Sequence, residues 1–172
     1  MGFLPYYCEI SNHFLRSQAE EALARLDPLQ EFPQGLIRVS LDQSIEVALR
    51  QSSSVLLKNW IDYHWSEAGE KFKEPAASAQ TKDFIRQNLP EGLRDSTRQV
   101  RSILAAALAN IASWDWPETW PNLVPNLLDA LNSNDINTID GALRCLKEFS
   151  TDINGKHAPV RGQVRKSVIF QA

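Results

Sequence analysis

The chain is short of glycine, cysteine and histidine, and each shortage removes a class of protein. Seven glycines in 172 residues are too few for the many tight turns of an all-β design. The two cysteines, Cys8 and Cys145, stand far apart in no Cys-x-x-Cys or Cys/His cluster, so neither a disulfide framework nor a zinc site can be built on them. That usage fits a reducing compartment. His13, His64 and His157 are the only histidines, and none stands in a recognisable relation to a serine or cysteine nucleophile. No phosphate-binding glycine loop occurs either. Long apolar runs are missing as well. The longest uncharged stretch, SILAAALANIASW from Ser102, is too short to cross a bilayer, and the opening MGFLPYYCEISNHF has no basic start and no sustained apolar segment. The expectation is a soluble intracellular protein that is not an enzyme, holds no metal and touches no membrane.

What is present is an apolar content of 43%, enough to bury a core in one domain or a short array of repeats. The formal charge of −3 hides a division. Residues 1–153 carry 14 basic and 21 acidic side chains, whereas residues 154–172 carry four basic and no acidic ones. An acidic body is a poor general binder of nucleic acid and a suitable host for basic partners. The carboxylate pairs Glu20/Glu21 and Glu67/Glu70 read as solvated charge.

Apolar residues recur with helical period along most of the chain. Trp120, Leu123, Val124, Leu127, Leu128 and Leu131 predict one helical face. Val100, Ile103, Leu104, Ala107, Leu108, Ile111 and Trp114 predict another before it, and Ile136, Ile139, Ala142, Leu143, Leu146 and Phe149 a third after it. Upstream, Ile45, Leu49, Ser53, Leu56, Trp60 and His64 follow the same spacing. Two weaker stretches, with Phe32, Leu36 and Ile37 and with Phe84, Ile85, Leu89 and Leu93, are each interrupted by a proline expected to kink or end the helix.

The helices also repeat. LRQSSSVLLKN from Leu49 overlies VRSILAAALAN from Val100 with Leu/Val, Arg/Arg, Leu/Leu and Asn/Asn in register, LRSQAEEALAR from Leu15 matches through Leu15, Arg16 and Leu23, and a fourth stretch from Thr138 to Leu146 and Lys147 matches faintly. Such a pattern predicts stacked helix pairs, each covering its apolar face only by packing on its neighbours. The small residues Ser52 to Ser54 and Ala105 to Ala109 then let helices approach closely. A serine nucleophile would need a base that the chain does not place nearby.

SWDWPETWP, residues 113–121, holds three of the five tryptophans. A base-stacking platform would interleave basic residues, and this stretch supplies Asp115 and Glu118 instead. Trp114, Trp116, Pro117, Trp120 and Pro121 therefore read as a joint between repeats. Trp114 should end one apolar face, Trp120 should start the next, and Pro117 should occupy the first turn of the following helix.

ALRQSSSVLLKNWIDYHW, SEAGEKFKEP and the stretch from IRQNLPEGLRD to ALRCLKEFS together resemble the amino-terminal part of the β-karyopherin (importin-β) family, over about Leu15 to Ile153. The combination LKN-W, LP-GLR, VRS, WDWPE-WP and GA-R-L-EF is more specific than any one piece. The resemblance implies an all-α HEAT-repeat solenoid of about four stacked antiparallel helix pairs, acting in nuclear import between cytoplasm and nucleus. Residues 1–14 are then an atypical amino-terminal segment, 15–153 the repeat array, and 154–172 a basic, disordered tail. Val160, Val164 and Val168 have the spacing of a short capping helix, but Gly162 interrupts it. The family's superhelix is longer, so the chain reads as a shortened form. The resemblance implies that Ran GTPase in its GTP form lies against the second helices of the early pairs, on the concave side. Carried onto this chain, those helices are Leu15 to Leu26, Ile45 to His64, Thr97 to Trp114 and Ile136 to Ile153, with Gln51, Lys58, Asp62 and Lys147 on their polar faces. It further implies basic cargo such as histones and ribosomal proteins, and contacts with nucleoporins, without a cofactor. The alternative is a non-transporting helical-repeat adaptor or competitor fragment that does not bind Ran.

Overall fold

A computed structural model describes residues 16–155 of the chain, with side chains through Thr151. Among the described residues all regular structure is helical. Helix α1 covers 16–26, α2 Phe32–Leu41, α3 Val47–His64 and α4 Ala79–Asn88; a 3-10 helix, Leu89–Arg94, continues α4. Helices α5 (Arg98–Asp115), α6 (Leu123–Ala130) and α7 (Ile136–Gly155) complete the order. The expected amino-terminal segment 1–14 lies outside the described residues, and so does the basic tail beyond Gly155.

Helix α2 packs on α3, the 3-10 helix on α5, and α6 on α7. The long helices also pack on one another, α3 against α5 and α5 against α7. Long helices thus form one layer and short ones the other, which is the helix-pair stack the repeats predict. Helix α5 lies between two long neighbours, and its small residues suit that position. Ala105, Ala107, Ala109 and Ala112 are completely buried, together with Val100, Leu104, Leu108 and Ile111. Each fully buried leucine or isoleucine of this kind contributes about 1.5–3 kcal/mol.

The prolines divide. Pro33 stands in the first turn of α2, where its missing N–H removes no helical bond, so it starts the helix instead of breaking it. Pro90 behaves as expected: α4 ends at Asn88 and the chain tightens into the 3-10 helix. At the other end of α4 the Ser78 hydroxyl accepts from the Thr81 N–H at 3.1 Å, a cap worth about 1 kcal/mol.

Trp60 and His64 are buried as expected, but in the first part of α3 the buried stripe is displaced by one residue from its expected register. Arg50, Ser54, Leu57, Trp60, Ile61 and His64 face inward, whereas Leu49 is 57% exposed and Ile45 precedes the helix. The reason is polar: Arg50 has a buried partner, described below, and the Ser54 hydroxyl donates to the Arg50 carbonyl at 2.8 Å, so neither residue needs water. At the carboxyl end of α3, His64 lies 2.9 Å from the Pro75 carbonyl and 3.2 Å from an Asp27 carboxylate oxygen. The Trp60 indole N–H donates to the Asp27 carbonyl at 2.9 Å. These bonds tie the α1–α2 and α3–α4 connections to the last turn of α3.

Candidate interaction surface

A chain of charge crosses the stack and sets the spacing of the long helices. Asp95, in the connection before α5, forms an ion pair with Arg50 of α3, and both side chains are almost wholly buried. Its carboxylate also accepts from Gln43 Nε2 at 2.9 Å and from the Thr97 N–H at 2.8 Å. Arg101 of α5 donates to the Asp95 carbonyl at 2.5 Å and reaches Asp140 of α7 at 2.8 Å. Arg144 donates to the same Asp140 at 2.8 Å. Hydrogen bonds from Arg144 and then Arg101 hold the Asp140 carboxyl down to about 2. Arg50 and Arg101 thus play one role in successive pairs, each binding the aspartate of the next. Their coincidence in the repeat alignment was the available signal, although arginine at a core position does not announce itself in a hydropathy pattern.

Those links join α3 to the connection before α5 and α5 to α7, which lie side by side. On α3, Gln51, Lys58 and Asp62 recur at helical intervals on one side, with Val55 between them. Lys58 Nζ binds Asp62 at 3.1 Å and Lys71 approaches the same carboxylate at 3.7 Å. Asn110 of α5, matched to Asn59 in the repeat alignment but not named as a surface residue, donates to the other Asp62 oxygen. The polar side of α3 therefore meets that of α5 at Asp62. Lys147 stands apart on α7, exposed, and its carbonyl accepts from the Ser150 and Thr151 hydroxyls at 2.8 and 3.0 Å. Three of the four expected residues share one helix face, and the fourth lies two helices along the layer.

The tryptophan-rich stretch lies at the α5–α6 connection. Trp114 is in the last turn of α5; Trp116 and Pro117 fall in the turn that follows, and Trp120 and Pro121 precede α6. Two expectations need correction here. Pro117 is not in the first turn of a helix, and Trp120 does not open the α6 face, because α6 begins only at Leu123. The Asp115 carbonyl accepts from both the Thr119 and Trp120 N–H groups, at 2.8 and 3.0 Å, which closes a turn and delays the helix. Trp116 packs edge-on against Phe149 of α7, with ring centroids 5.7 Å apart. The Asp115 carboxylate accepts from the Trp65 indole at 3.2 Å and from Arg86 at 2.9 Å. The outer face of α6 and α7 also departs from the periodic reading, since Leu128, Ile136 and Leu143 are 51%, 73% and 53% exposed.

A groove of about 760 Å³ opens between the 3-10 helix and α6, with Leu93, Leu108, Leu123 and Leu127 among its lining residues. The arginines at its edge are paired, Arg86 with Asp83 and Asp115 and Arg94 with Glu91. Among the described residues no cluster of three or more His, Cys, Asp or Glu could hold a metal ion, and no helix is long and apolar enough to cross a membrane.

Comparison with known proteins gives a consistent assignment. Residues 19–95 match the Importin-beta N-terminal domain family and residues 97–169 the Exportin 1-like protein family. Importin-9 of Drosophila melanogaster is 31% identical over 139 residues, which cover 79% of this chain and 14% of that protein. Importin subunit beta-5 of Schizosaccharomyces pombe is 32% identical over 137 residues, covering 78% of this chain and 14% of its own length. The solved structure of Lph2, a bidirectional nuclear transport receptor in S. cerevisiae, is similar with a TM-score of 0.66 and 26% identity, over 76% of this chain and 13% of that one. The chain thus spans only 14% of the length of each of these two curated relatives. On these matches and on its stack of helix pairs, the chain belongs to the importin-β family of karyopherins and corresponds to that family's amino-terminal region.

Proposed function

We propose that the chain serves nuclear transport by binding Ran in its GTP form along the layer of long helices, through surface complementarity and without a chemical step. Gln51, Lys58 and Asp62 on α3 and Lys147 on α7 supply polar contacts, and Asn110 joins them through Asp62. The observation that carries this reading is the side-by-side packing of α3, α5 and α7, which turns separate helix faces into one surface wide enough for a folded partner. The acidic body, with 14 basic against 21 acidic side chains over residues 1–153, favours basic protein cargo such as histones and ribosomal proteins. Cargo grip and nucleoporin contacts spread over a longer superhelix, so this segment alone holds cargo weakly. Residence in both cytoplasm and nucleus follows from the same role.

A pull-down with Ran loaded with GTP or GDP tests the proposal. Capture is expected with the GTP form alone, weakened by Lys58→Glu and Lys147→Glu and restored toward wild type by higher protein concentration. Equal capture of both forms, or of neither, removes Ran binding and leaves a helical-repeat adaptor or competitor.

A further inference from the structure

At the end of α3 a buried histidine faces two acceptors at once. His64 is 1% exposed. Its Nδ1 lies 2.9 Å from the Pro75 carbonyl oxygen, and its Nε2 lies 3.2 Å from a carboxylate oxygen of Asp27. A neutral imidazole carries one N–H and can donate to only one of them, leaving a ring lone pair aimed at the other, whereas an imidazolium donates to both. We propose that His64 is a pH-sensitive latch. Protonated, it holds the α1–α2 connection to the α3–α4 connection; when the ring loses its second proton, the Asp27 carboxylate is released.

Both acceptors are placed by bonds that do not depend on that proton. The Trp60 indole fixes the Asp27 carbonyl at 2.9 Å. Gln30, three residues on, donates to the Ala76 carbonyl at 3.2 Å and accepts from the Ser78 N–H at 2.8 Å and the Thr81 hydroxyl at 3.0 Å. On the other side, the Lys73 N–H donates to the Tyr63 carbonyl and the Ala77 N–H to the His64 carbonyl, each at 2.8 Å, which carries Pro75 to the ring. The Trp60 ring lies 4.9 Å from that of His64, a distance at which an aromatic face attracts a cation. Asp27 is the charged group in contact with the imidazole. The other charges around this end of α3 are engaged elsewhere: Lys73 over the Tyr63 ring, Lys82 over Trp65, Asp62 with Lys58 and Lys71, and Asp115 with Trp65 and Arg86. Glu74 is exposed. The Asp27 side chain is 36% exposed, so once released it can turn to water, while the buried ring keeps its remaining proton on Nδ1 and its bond to Pro75. The effect is one-sided. The α1–α2 connection loosens and the α3–α4 connection stays, and the extra hold is present at acid pH and lost as pH rises through the titration of the ring.

Nitrogen NMR and hydrogen exchange on the whole chain, from about pH 5 to about pH 8, test this. His64 should carry protons on both ring nitrogens at the acid end and on Nδ1 alone at the basic end. The Trp60 indole N–H, which donates to Asp27, should lose about tenfold or more of its protection across the interval, after correction for the intrinsic rise of exchange with pH. The Ala77 N–H, bonded to the His64 carbonyl, should keep its protection. Asp27→Asn, in a partly exposed connection, should remove the pH dependence, because an amide can donate to the neutral ring or accept from the charged one. A ring whose proton count does not change across the interval overturns the proposal. So does Trp60 protection that is constant with pH in the wild type, or that falls as far in Asp27→Asn.

Discussion

The closeness of α7 to the 3-10 helix can be tested with one methyl group. Gly141 sits in α7 where a Cβ would lie on the Leu93 carbonyl oxygen, with the carbonyl carbon and Cα of Leu93 both at 2.9 Å. These are backbone atoms, so no side-chain rotation relieves the contact. Gly141→Ala must push α7 away from the 3-10 helix, and overpacking of this kind costs about 1–3 kcal/mol. Alanine's better helix propensity returns about 1 kcal/mol. With a backbone clash at the upper end of that range, the net loss is about 2 kcal/mol, or a fall in Tm of roughly 4–8 °C for a chain of this length. Gly35 in α2 is the control, because a Cβ there meets nothing within 4 Å and no glycine takes a positive φ among the described residues. Gly35→Ala should therefore raise Tm by up to about 4 °C. Thermal melts followed by circular dichroism measure both variants. A Gly141→Ala protein as stable as the wild type, or a destabilised Gly35→Ala protein, would refute the reasoning about how closely the pairs pack.

Arg50→Met or Asp95→Ala each strands a buried charge and should cost about 3–5 kcal/mol in urea unfolding. The double variant should lose less than the sum of the two, and strict additivity would show that the pair is not coupled. Asp140 has its carboxyl lowered from 3.8 to about 2, so its contribution is complete above about pH 4 and is lost as pH falls toward 2. Asp140→Asn should flatten the urea midpoint across that interval, and an unchanged slope would argue against the Arg101 and Arg144 contacts. Burial pushes the Cys145 thiol up from 9.0 to about 12. The stability it lends as a neutral thiol is present below pH 9 and declines above it, and Cys145→Ala should remove that decline.

Legibility followed how each helix is covered. In α5 the periodic residues Val100, Leu104, Ala107, Leu108 and Ile111 are fully buried and Ile103 and Trp114 half-buried, because a helix between two neighbours covers most of its apolar stripe. In the first part of α3 the same reasoning slipped by one position, while Trp60 and His64 are buried as expected. Arg50 and Ser54 take core sites that hydropathy reserves for Leu49 and Ser53, and Asp95, 45 residues away in sequence, together with the Ser40 carbonyl makes an arginine there tolerable. On α6 and α7 the stripes were legible and Leu123, Leu127, Ala142 and Phe149 are buried, but Leu128, Ile136 and Leu143 stay more than half exposed. Of the candidate surface, the family resemblance pointed to the second helices, and helical period then placed Gln51, Lys58 and Asp62 on one side of α3. It had no means of finding Asn110, whose bond to Asp62 exists only because α5 lies alongside.

By itself, then, the sequence determined that the chain is helical and that its helices come in repeating pairs, because apolar period and propensity act over a few residues. Tertiary structure decided which arginines go inside, where the joint at Trp116 turns and which apolar stripe stays uncovered. A buried charge or an exposed leucine is settled by the neighbour it meets in space, and that neighbour lies dozens of residues away along the chain.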